Sequence, residues 1–100
     1  MIVGVFKMDP KRRAEQEVTL HERIIPMLQG LPGFVASTSS YDAARSRAHS
    51  HVIFDTAAHA EAFAAFVRGD GLGAQHAQGV EIESLTIAEV IAQATGHSAP

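Results

Sequence analysis

At 100 residues the chain has room for one domain and not for two. Its composition, 46% apolar and 19% charged, is globular and argues against a largely disordered protein. The net charge of −3 without a basic run speaks against nucleic acid as a partner, the absence of cysteine excludes disulfides and thiolate metal sites, and no apolar run reaches the length of a membrane span. A soluble cytoplasmic protein is the expectation.

In chain order, Ile2–Met8 is short, apolar and β-branched, which predicts a strand. Asp9-Pro10 follows as a helix start, an N-cap carboxylate with proline at the first helical position. That helix is expected to run to residue 28 or 29 and to close on Gly30, with a bend at Pro26, whose ring removes one backbone hydrogen bond. Leu31-Pro32-Gly33 predicts a turn, residues 34–41 a second strand, residues 42–46 a polar hairpin loop and Arg47–Phe54 a third strand. Asp55-Thr56 caps a second helix over residues 57–67, rich in alanine and phenylalanine. A glycine-rich stretch follows, with a short helical turn expected around residues 74–77. The last strand is placed over residues 80–90; its alternation changes phase near Ser84, so one bulge is expected there. Residues 1–92 form the single domain and residues 93–100 a flexible tail.

This order predicts an α+β fold of ferredoxin-like β-α-β-β-α-β type, a four-stranded antiparallel sheet with two helices on one face. The strands carry apolar residues on both parities: Val3 and Val5 against Ile2 and Phe6, Phe34 against Val35, Ile53 against Val52 and Phe54. A sheet with one wet face alternates more cleanly. The open face is therefore expected to meet a second copy in a homodimer, which also suits a domain that alone buries only about 60–70% of its unfolded surface.

The run Gly30-Leu31-Pro32-Gly33-Phe34-Val35, the strand ending Val52-Ile53-Phe54-Asp55-Thr56 and the alanine-rich 60–68 segment resemble the dimeric α+β barrel superfamily, and within it the antibiotic-biosynthesis monooxygenase-like proteins. The resemblance extends from Ile2 to about Ile91. It implies two four-stranded sheets packed face to face in a dimeric α+β barrel, and a cavity between helices and sheet for a small aromatic or polyketide-type molecule. The family includes cofactor-independent oxygenases, haem-degrading enzymes and isomerases. The Asn of the first strand and the Trp on which its monooxygenases and haem degraders rely have no counterpart, because the chain contains neither residue; His76 alone matches the haem-degrading set.

A helical wheel at about 100° per residue groups Ala14, Val18, Leu20, Ile24, Ile25, Leu28 and Leu31 on one arc, with Glu17 and His21 inside it, one turn apart. Two such groups on a buried face either pair with each other or border a polar cavity. As an acid–base pair, His21 polarised by Glu17 would be the general base. Phe34, Phe63 and Phe66 would wall an apolar ligand, with His51, His59 and His76 as polar contacts. His49 and His51 share one strand face, the spacing of two metal ligands, which Glu17 or His21 would have to complete; no metal and no cofactor is expected.

Three functions compete at this point. One is a cofactor-independent monooxygenase-like enzyme or a binder of a small ring-shaped molecule. The second is a non-catalytic homodimeric module whose side chains fill the cavity, and the third binds haem or metal through His76 or His49 and His51. An open cavity reaching His21 would separate the first from the second.

Overall fold

The computed structural model describes residues 1–69, 71, 73, 77–94 and 96. It is an α+β chain with one four-stranded antiparallel sheet, β1 (Ile2–Met8), β2 (Phe34–Asp42), β3 (Arg47–Phe54) and β4 (Val80–Ile87), in the order β2-β3-β1-β4. The termini of these strands follow the turn chemistry of the sequence. Asp42 accepts from the Arg45 backbone N–H and guanidinium in the hairpin, at 3.2 and 3.0 Å, and Gly33 supplies the left-handed φ of 76° that leads into β2.

Two bulges set the facing of the outer strands. Val5 pairs with Ser84 but Phe6 with Ile82, which leaves Glu83 as the extra residue of β4. The expected phase change is absorbed there, so Val80, Ile82, Leu85 and Ile87 lie opposite Met8, Phe6, Gly4 and Ile2. A second bulge was not expected. Phe34 pairs with Phe54 and Ala36 with Ile53, so Val35 stands out of register and is half exposed.

The first helical run is continuous over residues 10–29 but is not one α-helix. A 3₁₀ turn, Pro10–Arg12, leads into α1 (Arg13–Thr19), a π-helical turn, Leu20–Ile24, and α2 (Ile25–Gln29). Asp9 caps the start by accepting from the Lys11 N–H at 3.0 Å, and Gly30 is the C-cap. The bend expected at Pro26 is thus resolved one turn earlier. A proline ring crowds the carbonyl four residues before it, and the wider π turn carries that carbonyl clear. Further along, α3 (Ala57–Arg68) is capped by Thr56, whose Oγ1 accepts from the His59 N–H at 3.2 Å.

The core lies between sheet and helices. Ile2, Val52 and Phe54 from the sheet bury against Leu28 of the helical run and Ala60 and Ala64 of α3, with Ile24, Met27, Leu31 and Phe63 packed around them. The strand register sends the alternate residues to the opposite face: Val3, Val5 and Lys7 beside His51, His49 and Arg47, and beyond them Thr38, Ser40 and Asp42. That face is apolar along Val3, Val5 and Ile53 and polar around them. No helix among the described residues is long and apolar enough to cross a membrane. The short turn expected around residues 74–77 falls mostly outside the described residues, as do residue 95 and residues 97–100 of the tail.

Candidate functional site

A cavity of about 470 Å³ lies between the helical run and the sheet, within the range of small-molecule sites. Its roof is apolar, formed by Leu20, Ile24, Ile25 and Leu28, with Phe6 and Val80 closing one side. Its floor is made of small residues, Ala48, Ser37, Ser39 and Ser50. The register accounts for this: Ser39 stands opposite Ser50, and Tyr41 opposite Ala48. The two serine hydroxyls lie 3.3 Å apart. Where α3 meets the sheet, large side chains fill the space; beneath the helical run, side chains of this size cannot.

The mouth carries the charged groups. Arg13 Nε donates to Glu17 Oε1 at 2.9 Å, and the Arg13 guanidinium carbon sits 4.2 Å from the centre of the Tyr41 ring. Arg13 therefore reaches from α1 to β2 across the opening. Glu17 and His21 both line the cavity, but each is exposed, and the carboxylate is engaged by Arg13 and not by the imidazole. Of the two expected arrangements, a mutual pair or a place on the border of a cavity, the structure has the second, at an exposed rim and not on a buried face.

The physical reason is the π turn. It inserts one extra residue into the helix, shifting its phase by about 100°. A wheel that fits Ile24 and Leu28 downstream therefore misplaces α1 by one position. The inward face of α1 is Gln16 and Thr19, 5% and 8% exposed, while Val18 is 54% exposed.

Gln16 is the residue that the periodicity hid. Its Nε2 donates to the carbonyl oxygens of Asp9 and Gln78, at 3.2 and 2.8 Å, which fixes the orientation of the amide. Among the described residues its Oε1 is buried without a partner, as is Oε1 of Gln78. Each such acceptor costs about 1–3 kcal/mol, and both amides line the cavity.

The other expected ligand contacts are not gathered here. Phe34, Phe63 and Phe66 form a chain of rings with Phe54, with centroids 6.4, 5.4 and 6.4 Å apart in the order Phe34, Phe54, Phe63, Phe66. Phe34, Phe54 and Phe63 pack between α3 and the sheet, Phe66 continues the row outward and is 45% exposed, and none of the four lines the cavity. His51 lies on the open sheet face with His49, because each alternates with residues that face the helices. For the same reason neither Glu17 nor His21 completes a metal site with them, and among the described residues no three His, Asp or Glu side chains converge. His76 lies outside the described residues.

His59 belongs to a separate pair. Its Nδ1 donates to Asp55 Oδ1 at 2.6 Å, over the turn at Gly33, whose carbonyl accepts from the Asp55 N–H at 2.8 Å. The hydrogen bond from His59 holds the Asp55 carboxyl below its ordinary value. A depressed carboxyl stabilises the fold above its unfolded value and loses that effect as pH falls through the lower folded value. Asp55→Asn is therefore expected to flatten the fall of Tm below about pH 4, a modest effect for an exposed pair. A melting series across acid pH checks it.

Comparison of the chain with family models, with curated proteins and with solved structures finds no match.

Proposed function

We propose that this chain binds a small ring-shaped molecule in the cavity beneath its first helical run, and that it works as a homodimer closed through the open sheet face. The observation that carries the reading is the cavity itself: an apolar roof at Leu20, Ile24 and Leu28 facing a hydroxyl-bearing floor at Ser39 and Ser50. Such a space suits a flat molecule with an apolar body and polar substituents on one side. The strand order β2-β3-β1-β4 supports the ferredoxin-like arrangement. The half-buried Val3, Val5 and Ile53 on the uncovered face support a dimeric α+β barrel.

Binding is favoured over turnover. Catalysis of the cofactor-independent oxygenase kind would begin with removal of a proton by His21, and the carboxylate that would polarise this imidazole is held by Arg13. The test is calorimetric titration with 2-naphthol. The wild-type chain is expected to bind it, and Ser50→Phe, which places a ring on the cavity floor, is expected to weaken binding at least about tenfold while the far-ultraviolet dichroism stays unchanged. Equal affinity in the two proteins would remove the cavity from the argument.

A further inference from the structure

We infer that the ligand of this cavity is an anion, an apolar ring or hydrocarbon body carrying one carboxylate-type group that Arg13 receives at the mouth. The inference rests on the reading of this space as a ligand cavity and adds the chemical class of what enters it. A guanidinium offers five donors in a planar fork. In Arg13 only Nε is engaged, by Glu17 at 2.9 Å, and no bond to the two Nη groups occurs among the described residues. The fork is restrained by the Tyr41 ring, whose centroid lies 4.2 Å from the guanidinium carbon. It is thus a cation at the mouth of an apolar space whose roof carries Leu20 and Ile24.

Glu17 shows what such a site accepts. It is a carboxylate from the same helix, one turn away, occupying one edge of the fork. Its exposed position makes the bond weak and exchangeable, whereas a carboxylate whose apolar body is buried in the cavity adds the apolar contact to the same ion pair. Glu17 is then a competitor for Arg13, and its removal strengthens ligand binding.

The test compares 2-naphthoate with its neutral analogue 2-naphthamide by calorimetry on the wild-type chain and on Arg13→Gln, Arg13→Lys and Glu17→Gln. The acid is expected to bind the wild type about tenfold more tightly than the amide. Arg13→Gln should erase that preference, Arg13→Lys should keep part of it because charge without the fork remains, and Glu17→Gln should enlarge it. Equal affinity for acid and amide in the wild type, or a preference that survives Arg13→Gln, overturns the inference and leaves the cavity reading intact. If neither compound binds, both fall. Naphthoate binding that persists in Ser50→Phe would place the anion outside the cavity and overturn the inference as well.

Discussion

Gly33→Val is expected to destabilise the fold by about 3 kcal/mol, within the range of overpacking combined with a left-handed backbone. Two causes add. At φ 76° a β-branched residue is strained whatever the space around it. A Cβ at this position also overlaps Asp55 Oδ1 and His59 Nδ1, so the hydrogen-bonded pair packed over the turn must shift. The bond from the Asp55 N–H to the Gly33 carbonyl is strained with it. Urea denaturation measures the loss. Gly73→Ala is the control, since a Cβ there meets nothing among the described residues, and it should fall within about 0.5 kcal/mol of the wild type. Similar losses in both variants would show that the corner at Gly33 is not tightly packed.

Val5→Asp is expected to hold the chain monomeric. Val5 lies on β1, one of the two inner strands of the sheet, on the uncovered face between His49 and Ser84, and is half-buried even in the single chain. In a face-to-face dimer an aspartate here would be enclosed with only the His49 imidazole directly opposite it in its own sheet, since Lys7 and Arg47 stand at the end of the face, where Arg47 is bound to Glu83 at 3.3 Å. Taking a carboxylate out of water in an interface costs several kcal/mol, which one imidazole neighbour offsets only in part, and this weakens association more than about 100-fold. Sedimentation equilibrium should give a dimer for the wild type and a monomer for the variant. A wild-type monomer at all concentrations would contradict the proposed assembly.

The strands, their order along the chain and the bulge in β4 were legible in the sequence, because β-branched runs, turn residues and a parity change at Ser84 report on strictly local geometry. Both helix caps were legible for the same reason: Asp9 and Thr56 act on N–H groups two or three residues away. The inward face of the first helix was not. A regular wheel assumes a constant phase, and the π turn before Pro26 breaks it, so Glu17 and His21 moved to the rim and Gln16 moved in. The proline was the available signal, but whether its strain is relieved by a kink or by a wider turn depends on packing. The phenylalanines were legible as apolar, but the space they border was not: none of Phe34, Phe63 and Phe66 lines the cavity beneath the helical run. Which of two spaces over a sheet is filled depends on the size of the residues on the floor, here Phe54 under α3 and Ser50 under the helical run. The Arg13–Tyr41 contact joins residues 28 positions apart, beyond the reach of periodicity.

The most direct test of the cavity is a ¹⁵N–¹H chemical-shift titration of the wild-type chain with 2-naphthol. The expected result is a set of shifts confined to the helical run and the floor beneath it, at Leu20, Ile24, Ser39 and Ser50, with Val3 and His51 on the open face unmoved. Shifts centred on Val3, Val5 and His51, or on Phe63 and Phe66, would contradict it.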